Sequence, residues 1–263
     1  IVTEKYDKTV PELLAKGIAH RPDFKIQHNG KILYIDADGL RWHSEEFMSN
    51  DRHFNRMRDF KDNGLNLLIF RSDELYYKTE IVQSIIGAKL NIYQNKYWAR
   101  KLDIKEVHNS EAQEFLSSNH IMGEYSAAKH LGLYNGPELI SLLSYRKHKD
   151  GIDISRFCNK LNTCVIGGLS KLFAAVKKQA KFSFIQSFVD LRYGDGHSLI
   201  KLGFRLESTN LSWKWSDGTR TYNRLKCRAN MDSRGLSEAE HAKELKWVRI
   251  YDAGQAKFVL PLT

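Results

Sequence analysis

Cysteine and long apolar runs are scarce in this sequence of 263 residues, and each scarcity excludes a class of protein. The three cysteines, Cys158, Cys164 and Cys227, are odd in number and show no CxxC spacing, which argues against a disulfide scaffold or a zinc ribbon. No apolar run reaches the roughly 18 residues that a membrane-spanning helix needs. The N-terminal residues lack a signal-peptide pattern and an initiator Met, which suggests a trimmed chain that is not secreted.

Acidic residues are also fewer than basic ones. The chain has 41 Lys and Arg against 31 Asp and Glu, a formal charge of +10. The surplus is uneven, because residues 1–100 hold 16 basic and 14 acidic side chains and residues 101–263 hold 25 and 17. A basic region attracts polyanions, of which nucleic acid is the usual one. Basic proteins that never bind nucleic acid also exist, so charge alone leaves the partner open.

The first hundred residues have the pattern of an α/β domain. Turn signals, caps and apolar runs predict a helix over residues 10–16, a hairpin of strands 23–27 and 32–36, a polar helix over 54–63, a buried strand over 65–70 and a helix over 77–90. The hairpin turn is His28-Asn-Gly-Lys31. This order favours a mixed sheet with flanking helices. We expect the first domain to span residues 1–95, with residues 91–100 as a connection.

The remaining residues predict a second α/β domain over residues 102–263. Its expected strands are 104–107, 139–145, 184–191, 211–215 and 247–251, and its expected helices are 110–117, 155–161 and 169–179.

Carboxylates and histidines gather around the predicted hairpin. Its two strands bring Asp23 and Asp36 to the same end, where two carboxylates can share a divalent cation. Hard oxygen ligands suit Mg²⁺, which can generate hydroxide and stabilise the charge on a cleaved phosphodiester. His43, just past the strand, can act as a general base or position water. Such side chains also cap turns, but as a set they repel one another unless a cation binds them.

These residues resemble a known family. The run Arg21-Pro-Asp-Phe, followed by Ile35-Asp-Ala-Asp-Gly-Leu-Arg-Trp-His43, is similar to the core of the very-short-patch-repair (Vsr) endonuclease fold. It is closer still to the Vsr-like homing endonucleases of bacteriophages, named EDxHD, within the PD-(D/E)xK nuclease class. The resemblance continues through the polar helix, the glycine, the buried strand and the acidic turn that follow. It covers about residues 9–90.

The resemblance implies roles for individual residues. Glu12 matches the family's helix glutamate, Asp23 its metal-binding aspartate, and His43 the histidine after a Gly-x-x-Trp turn. His53 falls where repair enzymes carry an aspartate. The remaining candidates are Asp36, at a variable position, Asp38, which departs from the usual His or Asn and is either a further metal ligand or a change that alters activity, and the DNA-contacting arginines Arg41, Arg52 and Arg56.

The second domain resembles another fold. The run Val165-Ile-Gly-Gly-Leu-Ser-Lys-Leu-Phe173 is a glycine turn that opens a helix, where backbone N–H groups can receive an anion. With the strands around it, this run resembles the GNAT acetyltransferase fold, in which such a turn holds the coenzyme pyrophosphate. The usual Arg/Gln-x-x-Gly-x-Gly/Ala signature is degenerate here. We therefore expect this domain to hold DNA through basic side chains, namely Arg146, Lys147, Lys149, Lys160, Lys171, Lys177, Lys178 and Lys181.

The leading interpretation is a homing-type DNA endonuclease that uses Mg²⁺ (or Mn²⁺) to nick or cut duplex DNA. Its expected partner is double-stranded DNA, its expected state is a monomer or homodimer away from membranes, and its expected location is the cytoplasm of a bacterial host. Two alternatives remain open. One is a GNAT-type transferase that modifies DNA or another polar substrate, and the other is an inactive DNA-binding protein.

Overall fold

The computed structural model describes residues 2–6, 8–125, 129–178, 182–229 and 235–262. The strands in chain order are β1 (Val2–Lys5), β2 (Phe24–His28), β3 (Lys31–Asp38), β4 (Leu67–Arg71), β5 (Asn95–Trp98), β6 (Asp103–Glu106), β7 (Lys129–Asn135), β8 (Glu138–His148), β9 (Gly151–Asn159), β10 (Thr163–Ile166), β11 (Phe184–Asp190), β12 (Arg205–Asn210), β13 (Trp213–Ser216), β14 (Thr221–Tyr222), β15 (Val248–Tyr251) and β16 (Gln255–Pro261). The α-helices are α1 (Pro11–Leu14), α2 (Arg52–Asp62), α3 (Ser72–Tyr77), α4 (Thr79–Leu90), α5 (Asn109–Asn119), α6 (Gly168–Lys178), α7 (His197–Ile200), α8 (Arg224–Ala229) and α9 (Glu238–Glu244). Among the described residues, no helix has both the length and the apolar character needed to cross a membrane.

The chain divides into two compact units. The first unit holds residues 1–77, 190–195 and 209–255, and the second holds residues 78–189, 196–208 and 256–263. These units differ from the two consecutive domains, 1–95 and 102–263, that the sequence predicted. The first unit includes a late segment that pairs with its early residues, as the antiparallel bridge between Ser44 and Ile250 shows.

The first unit contains a four-stranded sheet in the order β1-β2-β3-β4. Strands β2 and β3 form the predicted antiparallel hairpin, and β4 joins β3 in parallel. The hairpin turn places Asn29 and Gly30 at positive φ, 46° and 74°, the conformation that Asn-Gly turns favour. Helix α2 lies against this sheet, because Phe60 packs with Tyr34 in the apolar core.

A three-stranded sheet, in the order β14-β13-β15, completes the first unit. Helices α8 and α9 belong to the same region, where Trp215, Cys227 and Ala242 form a small core. The predicted strands at 211–215 and 247–251 are therefore confirmed within two residues.

The second unit contains a seven-stranded sheet in the order β12-β16-β11-β9-β8-β7-β6. Its central pair, β9 and β11, is parallel, while β6 to β9 are antiparallel neighbours. Helix α5 covers a core that includes Leu116, Leu142 and Cys158. A separate parallel pair joins β5 to β10 within this unit.

Two sequence predictions fail here for the same physical reason. Residues 155–161 were expected to be helical, yet residues 151–159 form β9 in the middle of the sheet. Residues 91–100 were expected to be a plain connection, yet they contain β5. In both cases the pairing partner, not the local preference, decides the conformation.

Candidate functional site

Strand β3 and helix α2 together gather most of the predicted site residues in the first unit. Alternate residues of a strand share one face, and helix positions three or four apart do the same. The facing pairs are Tyr34 with Phe60, Asp36 with Arg56, and Asp38 with His53. One apolar contact, one ion pair and one acid–imidazole contact therefore follow each other along the strand.

Asp36 is held by a guanidinium group. Arg56 Nε donates to Asp36 Oδ2 at 2.5 Å and Nη2 donates to Oδ1 at 2.8 Å. Both side chains are buried, with 4% and 9% exposure. The sequence assigned Asp36 to a metal and Arg56 to DNA, but each satisfies the other, because a buried carboxylate requires a matching charge. Arg56 also donates to the carbonyl oxygen of Arg21 at 2.8 Å.

Asp38, His43 and His53 converge on one point. His43 Nδ1 lies 3.3 Å from Asp38 Oδ1 and 3.3 Å from His53 Nε2, and His53 Nδ1 lies 3.4 Å from Asp38 Oδ2. The two imidazole rings stack with centroids 5.1 Å apart. One ligand atom from each residue can be chosen so that all three lie within 4.8 Å of one another.

Burial controls the charge of this cluster. Desolvation, together with the neighbouring Asp36 carboxylate, raises the pKa of Asp38 to about 8. Desolvation lowers the pKa of His53 to about 3, and the nearby His43 acts in the same direction. Desolvation also lowers the pKa of His43. The uncharged forms of all three groups are therefore favoured near neutral pH.

Two other predicted catalytic residues, Asp23 and Glu12, are not members of this cluster. Asp23 is exposed at the start of the hairpin, and its Oδ2 accepts a hydrogen bond from the Ala37 backbone N–H at 2.7 Å. Glu12 is exposed in α1, where its charge adds to the effect of burial in raising the pKa of Tyr6 and Tyr34. The structure thus places Asp23 at the edge of the site and gives Glu12 other neighbours.

The basic residues predicted to contact DNA have mixed environments. Arg41 is exposed, with its guanidinium 5.4 Å from the ring centroid of Trp42, which is itself 60% exposed. Arg52 is exposed at the start of α2. Those that are exposed in the second unit are Arg146, Lys147, Lys149, Lys160, Lys177 and Lys178, whereas Lys181 lies outside the described residues.

Three of these basic side chains have partners in the second unit. Arg146 donates to Asp153 at 3.1 Å, and Lys160 forms an ion pair with Glu138. Lys171 donates to the carbonyl oxygens of Ala99 and Leu102, at 2.9 and 2.5 Å. Lys171 therefore fastens the start of α6 to a neighbouring turn.

The central parallel strands of the second unit diverge. Pairing between β9 and β11 joins Ile152 to Ile185, Asp153 to Gln186 and Ile154 to Ser187, and ends there. On its other side β9 stays paired with β8 as far as Asn159. An extra residue, Ser155, interrupts that register. Past this bulge, one edge of β9 presents backbone groups to a gap in the sheet.

Helix α6 begins at Gly168, a few residues after the end of β9 at Asn159. Gly167 adopts a positive φ of 76°, and the helix that follows has 11 residues and no acidic side chain in its first turn. The first N–H groups of a helix have no partner within it. Backbone donors and the helix dipole at Gly168–Ser170 therefore suit an anion.

A cationic and aromatic cluster lies on β9 beside the bulge. Arg156 is within 5.0 Å of the Tyr125 ring centroid, and Arg146 is within 5.8 Å of it. Arg156 Nη1 donates to the Ser155 carbonyl oxygen at 2.7 Å, while its buried Nε has no hydrogen-bond partner among the described residues. Burial, aided by Arg156, lowers the pKa of His120 to about 3. Sequence reasoning missed Arg156, Tyr125 and His120, because only the sheet brings them together.

Comparisons with known proteins give acetyltransferases. No protein-family description and no curated protein matches the chain. Among solved structures, an acetyltransferase from Bacillus subtilis in complex with CoA has 18% identity and a TM-score of 0.39, and the match covers 62% of this chain and all of that one. A GNAT family acetyltransferase from Elizabethkingia anophelis with acetyl-CoA bound has 10% identity and a TM-score of 0.37, over 62% and 99%. An IAA acetyltransferase from Bacillus cereus has 11% identity and a TM-score of 0.35, over 61% and 99%.

These findings correct the leading interpretation from the sequence. The similar structures named are acetyltransferases, two of them with CoA or acetyl-CoA bound, and none of those named is a nuclease. The predictions of a homing-type DNA endonuclease and of a catalytic Mg²⁺ or Mn²⁺ are therefore wrong. The pairing of Asp36 with Arg56 agrees with this correction, because it removes one of the two carboxylates expected to hold the cation.

Proposed function

We propose that the second unit binds a coenzyme A thioester and transfers its acyl group to a polar acceptor. The observation that carries the proposal is the divergence of β9 from β11 after Ile154 and Ser187. An open strand edge can pair with an extended ligand that carries amide groups. The pantetheine arm of coenzyme A has two such amides and is long enough to follow a strand.

Helix α6, which follows β9 and β10 in the sequence, fits the rest of this coenzyme. The start of α6 offers backbone N–H groups and a positive dipole end to the pyrophosphate, with no carboxylate in its first turn. Gly167 provides the positive φ that lets the backbone turn into the helix. The missing Arg or Gln of the usual signature leaves the backbone as the main source of donors here.

The coenzyme would supply a thioester carbonyl. In the transfer, a nucleophilic nitrogen or oxygen of the acceptor forms a bond to the carbonyl carbon, the carbon–sulfur bond breaks, and the acceptor's proton ends on the released thiol. Backbone N–H groups at the Ser155 bulge would polarise a carbonyl bound along β9.

We further propose that the acceptor is anionic near its reacting group. Arg156 and Arg146 flank Tyr125 next to the bulge, and the Arg156 Nε lacks a partner among the described residues. A phosphate-bearing acceptor such as DNA, which the basic composition led us to expect, has the charge that these guanidinium groups bind.

Calorimetric titration of acetyl-CoA into the full-length chain tests the proposal. Ser170 is exposed in the first turn of α6, so Ser170→Asp adds a carboxylate where the pyrophosphate is proposed to bind. An acidic residue at a helix start favours the helix, so loss of binding cannot come from unfolding of α6. We expect Ser170→Asp to weaken binding at least about tenfold, a change of roughly 1.4 kcal/mol.

The matched control is Ala174→Asp, which adds the same charge one turn further along α6 at another exposed position. We expect a much smaller effect from this variant. The proposal fails if the unmodified chain gives no heat with acetyl-CoA, or if both variants bind as well as the unmodified chain.

A further inference from the structure

We propose that Asp38, His43 and His53 in the first unit form a binding site for a transition-metal ion of the Zn²⁺ class. This site shares Asp38 with the magnesium site expected from the sequence, but it has two histidines in place of Asp23 and Asp36 and takes a different class of metal. It lies in the first unit and does not depend on the proposed acyl transfer.

Two of the three distances between the ligand atoms match those around a tetrahedral metal. Zn²⁺ binds imidazole nitrogen and carboxylate oxygen at about 2.0–2.1 Å, so neighbouring ligand atoms of a tetrahedron lie about 3.3–3.4 Å apart. His43 Nδ1 is 3.3 Å from Asp38 Oδ1 and 3.3 Å from His53 Nε2. Two pairs of ligand atoms therefore already have this spacing, and one ligand atom from each of the three residues lies within 4.8 Å of the others.

The cluster is poorly satisfied by hydrogen bonds alone. His53 is 2% exposed, and its Nδ1 has no hydrogen-bond partner among the residues that the structure describes. His53 Nδ1 lies 3.4 Å from Asp38 Oδ2 without forming a hydrogen bond, and a bound ion would give this buried ring a partner.

The donor set selects the class of metal. Two imidazole nitrogens with one carboxylate favour Zn²⁺, Co²⁺ or Ni²⁺ over Mg²⁺, which prefers oxygen ligands. Three protein ligands leave a fourth position of a tetrahedron open. The side chain of His43 is 22% exposed, so an ion can reach the site from the solvent.

The surrounding charges permit a cation. The positive charges of Arg56 and Arg71 reach Asp38 and lower its pKa. Arg56 is, however, paired with Asp36, and Arg71 is paired with Glu74 and Asp252. The charge of Arg52 also lowers the pKa of His43, after the larger effect of burial. The carboxylate of Asp23 contributes a negative potential to the same region.

Metal binding by the tag-free, full-length chain tests this site. The protein is first treated with a chelator, then dialysed against Zn²⁺ and analysed for bound metal, and titrated separately with Co²⁺ while visible absorption is followed. We expect one bound ion per chain and the absorption of tetrahedral Co²⁺. His43→Ala and Asp38→Asn should each weaken Co²⁺ binding at least about tenfold.

The matched control is His20→Ala. His20 belongs to the same unit, and its side chain is 21% exposed against 22% for His43. This variant should bind Co²⁺ like the unmodified chain. Circular dichroism and thermal unfolding of each variant without metal separate loss of ligands from loss of fold, and Asp38→Asn serves if His43→Ala does not fold.

Three results would overturn the site. They are the absence of bound Zn²⁺ and Co²⁺ in the folded chain, equal Co²⁺ affinity in folded His43→Ala or Asp38→Asn, and displacement of Co²⁺ by a similar concentration of Mg²⁺.

Discussion

The side chains on one face of helix α2 determine which partner each carboxylate of strand β3 has. The guanidinium of Arg56 takes both oxygens of Asp36, and this leaves the next residue on the same face, Asp38, to the histidines. The strand therefore carries two carboxylates with different chemistry two positions apart. One is an ion-pair partner and the other is a candidate ligand.

We predict that Arg56→Met destabilises the first unit strongly. The change leaves the Asp36 carboxylate buried without its partner, which costs about 3–5 kcal/mol. The double variant Asp36→Leu with Arg56→Met should recover most of this loss, because no buried charge remains. Urea unfolding followed by fluorescence measures both free energies of unfolding. A single variant within about 1 kcal/mol of the unmodified chain would contradict the role given to the pair.

The sequence indicated the three residues of the cluster but not the ion pair beside it. His43 was named as a candidate because it lies just past a predicted strand, and Asp38 and His53 were named through the resemblance to Vsr-like nucleases. The partner of Asp36 was not found, because Arg56 on a polar helix is as well suited to solvent or phosphate as to a buried carboxylate. Only the distance between strand and helix separates these possibilities.

Glu238 links three elements of the first unit. Its carboxylate accepts hydrogen bonds from Arg224 and Arg228 in α8 and from the Trp215 indole in β13, while Glu238 itself begins α9. The hydrogen bonds from Arg224 are the main reason that the pKa of Glu238 falls to about 2 from its usual 4.5. This one carboxylate therefore joins two helices to a sheet.

The lowered pKa predicts how acid affects this region. Because the folded state favours the ionised form, the stabilisation is complete above about pH 4.5 and is lost as the pH falls toward about 2. Thermal unfolding measured across this range should show a falling midpoint in the unmodified chain. Glu238→Gln should begin with a lower midpoint and show a weaker dependence on pH. The same slope in both proteins would contradict this account of Glu238.

Local sequence predicted some elements well and others poorly. The hairpin of β2 and β3 was predictable, because Asn29-Gly30 specifies its turn within four residues. Strand β9 was not, because residues 155–161 resemble a helix until β8 is present to pair with them. Strand β5 was missed for a similar reason, since Asn95 pairs with Thr163, far along the chain.

The whole molecule is organised by contacts between distant parts of the sequence. In the first unit, buried Arg71 pairs with Asp252, and buried Glu74 accepts from Arg192. A domain boundary near residue 100 followed naturally from composition. It could not account for residues 190–195 and 209–255, because no local pattern marks a segment that returns to an earlier unit.

These contacts predict that residues 1–95 do not form a stable domain alone. The fragment would keep Arg71 and Glu74 but lose Asp252 and Arg192, and would expose the surfaces that they cover. Circular dichroism of the fragment should show no cooperative thermal transition, or one well below that of the full chain. A transition at the temperature of the full chain would show that the late segments are dispensable.

Hydrogen–deuterium exchange of the full chain, with and without saturating acetyl-CoA, tests the central claim most directly. We expect slower exchange in the peptides that cover residues 155–159 of β9 and residues 167–171 at the start of α6, because these backbone groups would pair with the bound coenzyme. Exchange in β2 and β3 should not change. Unchanged exchange at both second-unit segments, or protection confined to the first unit, would contradict the assignment of coenzyme binding to this gap in the sheet.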